Sequence, residues 1–428
     1  MGGDRTILHC DCNGFYASVE CLLAPHLWDV PMAVCGDPDS RHGIILAKNQ
    51  LAKDRGVVTA ETIWQAKKKC PNLTLVPPRR GEYQRYSAIL NQIYERYTDL
   101  VEPFGIDESW LDVTGTLHLF GDGPQIADQI RETVRRETGL TVSVGVSFNK
   151  IFAKLGSDYK KPDATTVFSR GNYREQVWPL PVSALLYVGR AVEQTLAKLG
   201  IHTIGQLAAA DRVLLTAALG KQGGQLLDYA QGREDSPVRP ASEPREVKSV
   251  GNGMTFRRNL VGEEDIAAGV AALADEVASR LRKQGLLCQT VQVQIKTPEF
   301  KSISRQRGLR QPTDLGWEIT RAAMDIIRDS WRMTDPIRLI TITAAGLTHG
   351  AEGQLSLYPE EGEDLRQRHA RLEEAMDRVR GRYGHGALAP AAVWGSDIGV
   401  SPAAYSPAAQ EEGDSPDGED PPGPPEKP

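Results

Sequence analysis

The stretch Gly105-Ile106-Asp107-Glu108-Ser109-Trp110-Leu111-Asp112 places two adjacent carboxylates just before a strand-like apolar run. Neighbouring side chains of a regular strand point to opposite faces, so Asp107 and Glu108 can serve one site only if the chain bends there. Gly105 makes such a bend easy. Two carboxylates brought together repel each other unless a cation compensates, and Mg²⁺ prefers one or two carboxylates together with phosphate oxygens. Taken alone, however, the pair is more typical of a solvated acidic turn.

A third carboxylate, near the N-terminus, favours a site over a turn. Residues 6–10 read as a buried strand, and Asp11 follows them directly, ahead of a helix-like segment at residues 17–20. A carboxylate at the end of a buried strand is poorly placed for a core and well placed for a site. Together with Asp107 and Glu108, it could hold two divalent ions roughly 3.5–4 Å apart, the arrangement that supports phosphoryl transfer in polymerases and nucleases.

Three segments of the chain carry a family resemblance: residues 11–20, 105–112 and 143–154. In this order and spacing they resemble the signature segments of the Y-family DNA polymerases, in particular the DinB-type bacterial branch that includes the DNA polymerase IV group. The resemblance runs from about residue 5 to about residue 358. It implies a template-directed DNA polymerase that adds dNTPs to a primer 3′-hydroxyl with two Mg²⁺ ions, and it implies low-fidelity translesion synthesis.

The resemblance also assigns roles to residues around the acidic pair. Asp11, Asp107 and Glu108 match the catalytic metal ligands of the family, joined by the backbone carbonyl of Cys12. Tyr16 matches the steric gate, whose ring lies against the sugar of the incoming nucleotide and leaves no room for a 2′-hydroxyl. The neighbouring Phe15 is expected in the core.

The residues expected to bind the triphosphate depart in part from the family pattern. Lys161 matches the triphosphate-binding lysine, and Lys154 is a candidate accessory cation. Gln50 and Lys53 occupy the positions where the family usually presents a tyrosine and an arginine, and Ala47 stands where a hydroxyl residue is common. Lysine keeps the charge but not the bidentate fork of arginine, and glutamine can still donate from its amide. We therefore expect weaker or differently aimed contacts with the triphosphate.

The implied fold is multidomain, with α/β and α+β parts: a right-hand polymerase with a palm, small fingers, a helical thumb and a βαββαβ-like little finger. Helices that alternate with strands around the acidic residues fit an α/β palm. After residue 247, periodicity predicts strand, helix, strand, strand, helix, strand. The expected boundaries are palm 1–15 and 79–168, fingers 16–78, thumb 169–233, linker 234–247, little finger 248–347, a clamp-binding peptide 354–358, a helix 364–383 and a disordered acidic, proline-rich tail 397–428.

The thumb carries half of a motif that binds the DNA backbone. Residues 199–207 resemble the second half of a helix-hairpin-helix, whose backbone amides hold phosphates without reading sequence. Residues 187–189 stand where the family usually shows a Gly-x-Gly hairpin. For this first half of the motif, a plain helical packing module is nearly as good an interpretation.

The little finger contains a basic strand. Lys301, Arg305, Arg307 and Arg310 lie on or beside it, and residues 301, 305 and 307 share a face by the period of two. A basic strand face suits a DNA backbone. An edge strand protected by charge is the alternative, and the family resemblance favours DNA.

The net charge of −6 is unevenly distributed. Residues 397–428 carry eight Asp/Glu and one Lys, which gives −7, so the other 396 residues sum to +1. The same segment holds eight prolines and little to bury, which is typical of disorder. The total charge therefore does not argue against DNA binding by the folded part.

The pentapeptide Gln354-Leu355-Ser356-Leu357-Tyr358 resembles the peptide by which bacterial polymerases bind the β sliding clamp, with tyrosine in place of phenylalanine. Leu355, Leu357 and Tyr358 would enter an apolar cleft, and Gln354 would form a hydrogen bond at its rim. A short strand that extends the little finger is the alternative. The helix that follows has a narrow apolar seam, which can dock on the body or on a partner.

The remaining features set the expected location and partners. No apolar run approaches the ~20 residues of a membrane span. The N-terminus offers no signal peptide, and the six cysteines show no CxxC spacing. We expect a cytoplasmic monomer that binds primer–template DNA, dNTPs and the β sliding clamp, and no membrane.

Two other functions stay open at this point. The first is a non-catalytic Y-family-like scaffold that binds DNA and the sliding clamp in a mutagenesis complex. Such relatives lose metal carboxylates, whereas this chain keeps all three, although the departures at Gln50 and Lys53 leave the scaffold open. The second is a different two-metal palm enzyme such as a cyclase, against which the thumb and little-finger resemblance argues.

Overall fold

The structure is a computed structural model that describes residues 4–37, 43–243, 246–349, 363–393 and 396–400. The chain forms two compact units that divide between residues 245 and 246. Among the helices of the described ranges, none is long and apolar enough to cross a membrane.

The first unit contains two sheets. Its strands are β1 (Ile7–Cys12), β2 (Met32–Cys35), β3 (Ile45–Lys48), β4 (Thr74–Val76), β5 (Val101–Pro103), β6 (Glu108–Asp112), β7 (Val142–Ser147) and β8 (Thr165–Phe168). Five of them form a sheet in the order β5-β6-β1-β7-β8, and the others form a smaller sheet in the order β3-β2-β4. The central strand β1 is antiparallel to both neighbours, and all its residues are buried.

Helices cover both faces of the larger sheet. The helices of the first unit are α1 (Phe15–Leu23), α2 (Gln50–Asp54), α3 (Ile63–Lys69), α4 (Arg80–Tyr94), α5 (Leu117–Phe120), α6 (Gly123–Thr138), α7 (Lys150–Tyr159), α8 (Tyr173–Gln176), α9 (Arg190–Lys198), α10 (Ile204–Ala208), α11 (Arg212–Leu219) and α12 (Lys221–Ala230). The even-numbered residues of β1 pack in one core with α4 and α6. The odd-numbered residues His9 and Asp11 face α7. Helix α7 lies so close to β7 that a Cβ at Gly145 would be 1.9 Å from the carbonyl oxygen of Ala153.

One buried side chain, that of Asn49, joins the smaller sheet to the segments beside it. The Asn49 amide oxygen accepts hydrogen bonds from the N–H groups of Met32 (3.2 Å) and Ala52 (3.0 Å). Its amide nitrogen donates to the carbonyls of Leu27 (3.1 Å) and Val30 (2.7 Å). Asn49 therefore caps α2 and fixes the end of β3 in space.

Helices α8 to α12 share a hydrophobic core with α7 and β8. Gly200 lies in the turn between α9 and α10 with φ 75°. Tyr187 has φ 69°, in the left-handed region that a bulky residue rarely adopts. This is the position where the family resemblance calls for a glycine, so the local backbone keeps a glycine-like conformation although the residue is tyrosine.

The first half of the segment predicted as a linker packs on the first unit. Lys150 N–H donates to the Glu234 carboxylate (3.1 Å), and Arg239 N–H donates to the Glu102 carboxylate (3.1 Å). Val238 between them is buried. Only the later residues of this segment lead to the division between the units.

The second unit contains an antiparallel four-stranded sheet in the order β11-β10-β12-β9. Its elements are β9 (Ser249–Leu260), α13 (Glu263–Lys283), β10 (Leu286–Lys296), β11 (Ser302–Thr313), α14 (Gly316–Ser330), β12 (Ile337–His349) and α15 (Glu363–Tyr383). The predicted order of strand, helix, strand, strand, helix, strand is confirmed. Helices α13 and α14 share one hydrophobic core with the sheet.

Helix α15 docks on the second unit through charged side chains. Arg380 is buried and pairs with Asp275 of α13 at 2.7 Å. Arg282 pairs with Asp377 at 2.6 Å, and Glu373 accepts a hydrogen bond from Gly316 N–H (2.9 Å). The helix therefore docks on the body, and its buried contacts are ionic, unlike the predicted apolar seam.

The sequence predicts a disordered tail from residue 397 onward, and this is wrong for residues 397–400. Ile398 and Val400 are buried in the core of the second unit. Asp397 pairs with Arg258 at 2.6 Å, and the Ile398 carbonyl accepts a hydrogen bond from Arg257 N–H. Residues 401–428 lie outside the described residues.

Candidate active site

Asp107 and Glu108 lie at a sharp bend at the start of β6. The Glu108 carbonyl accepts hydrogen bonds from the N–H groups of Phe104 (2.9 Å) and Gly105 (3.2 Å), and the Asp107 carbonyl accepts one from Cys12 N–H (2.9 Å). A Cβ at Gly105 would lie 3.1 Å from Glu108 Cγ and 3.4 Å from Asp107 Oδ1. The expected bend is confirmed, and a side chain at position 105 would crowd the side chains of Glu108 and Asp107.

Asp11 and Glu108 face each other across β1 and β6. The two residues are direct partners in the antiparallel register, so their side chains share a face. The Lys154 Nζ on α7 lies 3.0 Å from Asp11 Oδ2 and 2.5 Å from Glu108 Oε2. The Lys161 Nζ lies 2.7 Å from Asp11 Oδ1 and 2.7 Å from Asp158 Oδ1. Both predicted lysines therefore belong to the acidic site.

Asp107 differs from its neighbour in its electrostatic environment. In the described part of the chain, ligand atoms of His9, Asp11 and Glu108 lie within 4.8 Å of one another, and Asp107 is outside this group. Burial and then repulsion by Asp11 and Glu108 raise the pKa of Asp107 to about 6. Burial also disfavours the charged form of Glu108, but contacts with His9 and Lys154 outweigh it and lower the pKa of Glu108 to about 2. Glu108 is thus ionised and paired, while Asp107 adds negative charge that no partner balances fully.

His9 belongs to the site although the sequence analysis did not single it out. It lies on β1 two residues before Asp11, fully buried, with Nε2 3.4 Å from Glu108 Oε2. Its Nδ1 is 2.8 Å from Ser157 Oγ on α7. Burial lowers the pKa of His9, and the hydrogen bond with Glu108 opposes part of this effect. The available signal was a polar residue that shares the face of Asp11 in an otherwise apolar strand.

The Tyr16 side chain lines the same cleft and stacks on another aromatic ring. Tyr16 and Tyr83 have ring centroids 4.0 Å apart and an interplanar angle of 11°. The Tyr83 hydroxyl donates to Glu20 Oε1 (2.6 Å), and Arg79 Nε donates to Glu20 Oε2 (2.8 Å). Phe15 is buried in the core, as expected. Tyr83, which the sequence analysis missed, therefore connects Tyr16 to the buried carboxylate of Glu20, which pairs with the exposed Arg79.

The cleft has a volume of about 500 Å³, and the smaller sheet forms one of its walls. Lys48 and Thr59 lie on this wall, with Lys48 Nζ donating to Thr59 Oγ1 (3.0 Å). Within the described residues, Gln50 and Lys53 do not line the cleft. The Gln50 amide donates to Asp54 Oδ1 (2.6 Å). The wall formed by the smaller sheet thus presents Lys48 to the cleft in place of Gln50 and Lys53. The sequence analysis assigned no role to Lys48.

The basic residues of the second unit lie on or beside the edge strand β11. Arg305 and Arg307 are paired across the strands with Val293 and Val291, whose side chains are buried in the core. The two arginines therefore share the face covered by helices, and Arg307 pairs with Asp329 of α14 at 2.5 Å. Lys301, Arg305, Arg307 and Arg310 are all exposed. For Arg307, the ion pair favours the alternative of a charge-protected edge strand.

The predicted clamp-binding residues Gln354, Leu355, Leu357 and Tyr358 lie outside the described residues.

Comparison with known proteins identifies relatives along most of the chain. Residues 10–158 match the impB/mucB/samB family, and residues 247–357 match the impB/mucB/samB family C-terminal domain. DNA polymerase IV of Acetivibrio thermocellus is 46% identical over 89% of this chain and 95% of that protein. DNA polymerase IV of Moorella thermoacetica is 38% identical over 90% of this chain and 95% of that protein. DNA polymerase IV 1 of Bacillus subtilis is 35% identical over 90% of this chain and 92% of that protein.

A solved structure supports the same relationship at the level of the fold. The Y-family DNA polymerase chimera Dbh-Dpo4(243-245)-Dbh matches with a TM-score of 0.71 and 22% sequence identity. The match covers 81% of this chain and 100% of that chain.

Proposed function

The chain belongs to the impB/mucB/samB family, and we propose that it is a template-directed Y-family DNA polymerase that adds dNTPs to a primer 3′-hydroxyl, with translesion synthesis as its role. The observation that carries the proposal is a single cleft lined by Asp11, Asp107, Glu108 and Tyr16. This set combines ligands for cations with an aromatic side chain that can contact a sugar.

We infer that Asp11, Asp107 and Glu108, with the Cys12 backbone carbonyl, hold two Mg²⁺ ions. Carboxylate and carbonyl oxygens are the donors that hard divalent cations prefer. The space between Asp11 and Glu108 already accepts a cation, the ammonium of Lys154, and the raised pKa of Asp107 reflects excess negative charge. When bound, such ions would lower the pKa of the primer hydroxyl and neutralise charge on the triphosphate and the leaving pyrophosphate.

The lysines and the tyrosine of the cleft position the nucleotide. Lys161 is held at the cleft by Asp11 and Asp158, and we propose that it contacts the triphosphate. Tyr16 acts as the steric gate, because a ring held by stacking on Tyr83 cannot move aside for a 2′-hydroxyl without losing that contact.

The remaining contacts stay proposals of the family resemblance. They are a nucleotide-binding role for Gln50 and Lys53, DNA contacts by Lys301, Arg305, Arg307 and Arg310, and recruitment of the β sliding clamp by residues 354–358. We further propose that the protein acts in the cytoplasm as a monomer on primer–template DNA. The non-catalytic scaffold is not favoured, because the full set of acidic residues is present.

Primer extension tests the proposal directly. The purified protein should extend a primer on a template with Mg²⁺ and dNTPs, whereas Asp107→Asn and Glu108→Gln should abolish extension without loss of folding or DNA affinity. Asp99→Asn, which removes an exposed carboxylate of the same unit, is the matched control and should extend normally. Extension by both site variants at the wild-type rate would disprove the metal assignment. DNA binding by the wild type without any extension would instead identify a scaffold.

A further inference from the structure

Lys48 occupies a defined position on the wall of the cleft. It is the last residue of β3, it is partly buried, and it lines the cleft together with Asp11 and Tyr16. Its ammonium donates to Thr59 Oγ1 at 3.0 Å. The next residue, Asn49, is buried and fixed by hydrogen bonds to backbone groups on both sides. The chain directly after Lys48 is thus anchored by buried hydrogen bonds, and the Lys48 ammonium is oriented by its bond to the exposed Thr59.

Lys48 differs in its charge environment from the other lysines of the cleft. Lys154 and Lys161 are each paired with carboxylates. Among the contacts of the described residues, the hydrogen bond of the Lys48 ammonium goes to a neutral hydroxyl. Burial and then the like charge of Lys53 lower the pKa of Lys48, with a smaller opposing effect from Glu61. A partly desolvated cation beside a second cation is stabilised by an anion that enters the cleft.

We propose that Lys48, positioned by Thr59, contacts the phosphate tail of the incoming nucleotide. This inference rests on the polymerase function proposed above. The family usually offers a hydroxyl at position 47 and an arginine at position 53, where this chain has alanine and lysine. Within the described residues, Lys53 does not line the cleft and Ala47 carries no hydroxyl, whereas Lys48 and Thr59 place a cation and a hydroxyl on the cleft wall. Hydrogen bonds from ammonium to phosphate are among the strong, charge-assisted ones.

Steady-state kinetics of primer extension separates binding from chemistry. Lys48→Met should raise KM for dNTPs about tenfold, equivalent to about 1.4 kcal/mol, with kcat changed less than about twofold. Lys48→Arg should restore most of the affinity, because it restores the charge. Thr59→Val should raise KM by a smaller factor. Lys68→Met, which removes an exposed lysine of α3 outside the cleft, should leave KM unchanged.

Inhibition by inorganic tripolyphosphate distinguishes the phosphate tail from the base. The inhibition constant of tripolyphosphate, measured in competition with dNTP, should rise in Lys48→Met by about the same factor as KM. The rise in KM should be the same for all four nucleotides. An unchanged inhibition constant, or a KM effect confined to particular bases, would overturn the phosphate contact. If the wild type fails to extend a primer, the polymerase function itself is wrong. If the wild type extends and Lys48→Met keeps the wild-type KM, only the role of Lys48 is wrong.

Discussion

The side chain of Tyr83 makes two contacts that substitution can separate. Its ring stacks on Tyr16, and its hydroxyl donates to the buried carboxylate of Glu20. Tyr83→Phe removes the hydroxyl and keeps the ring. Tyr83→Leu removes both. We expect the first variant to lose stability alone, and the second to lose stability and sugar discrimination together.

The sizes of both effects follow from these contacts. Glu20 is fully buried, and without the hydroxyl it keeps only Arg79 as a partner of its side chain among the hydrogen bonds of the described residues. Leaving a buried acceptor short of a donor costs about 1–3 kcal/mol. For a unit of this size, that corresponds to a fall of about 2–12 °C in its unfolding temperature. Loss of an aromatic stack worth about 0.5–1.5 kcal/mol would lower the preference for dNTP over rNTP about 2- to 12-fold.

The assay pairs thermal unfolding with the ratio of kcat/KM for a dNTP and the matching rNTP. Tyr16→Ala provides the upper limit of lost discrimination. Tyr86→Phe, a hydroxyl removed from the same helix, is the matched control and should change neither quantity. Equal loss of discrimination in Tyr83→Phe and Tyr83→Leu would refute the idea that stacking holds the gate. Unchanged stability in Tyr83→Phe would refute the contribution of the Glu20 hydrogen bond.

Three further outcomes are expected. In the folded state the pKa of Asp107 is about 6, above its usual 3.8, so the folded protein binds this proton more tightly than the unfolded chain does. The metal-free protein should therefore lose stability as the pH rises from about 4 to about 6. Asp107→Asn should flatten this part of the profile of unfolding temperature against pH, and an unchanged profile would contradict the raised pKa. Leu357→Ala combined with Tyr358→Ala should leave basal primer extension intact and remove stimulation by the β clamp. Equal affinity of the double variant and the wild type for the clamp, measured by calorimetry, would disprove the peptide assignment. Arg307→Ala should weaken DNA binding less than Arg310→Ala in fluorescence anisotropy, because ion pairs hold Arg307 against α14, and the reverse order would show that those pairs open on DNA.

The second unit shows where periodicity in a sequence is informative and where it is not. The order of its four strands and two central helices could be predicted, because α13 repeats apolar residues at a spacing of three to four. The docking of α15 could not, because its buried residues include Glu373 and Arg380, whose partners lie about 57–105 positions earlier in the chain. The segment 397–400 was misjudged since the proline-rich, acidic composition of the whole tail concealed two apolar residues that insert into the core.

Prediction of the candidate site from the sequence was limited in a similar way. The sequence identifies Asp11, Asp107 and Glu108, but only the register of β1 against β6 brings Asp11 opposite Glu108, and a shift by one residue would place them on different faces. Lys48 and Tyr83 were missed for another reason. The role proposed for each depends on a partner elsewhere in the chain, Thr59 for Lys48 and Tyr16 for Tyr83, and a single sequence carries no signal for such a pair.

The charges that line the cleft link the binding of cation and nucleotide. Within the described residues, the lining carries four carboxylates and three lysines: Asp11, Asp107, Glu108, Asp158, Lys48, Lys154 and Lys161. A triphosphate that entered alone would meet the carboxylates, and divalent cations that entered alone would compete with the lysines already paired to them. Divalent cations bound by Asp11 and Glu108 would take the places of the ammonium groups there, which would leave Lys154 and Lys161 free to contact the phosphates. We therefore infer that each ligand strengthens the binding of the other, as thermodynamic linkage requires of any such coupling. Lys154 and Lys161 offset part of the negative charge of the site before the ligands arrive. Among the contacts of the described residues, the Lys48 ammonium bonds to a hydroxyl, so it would give up no carboxylate contact to meet the phosphates.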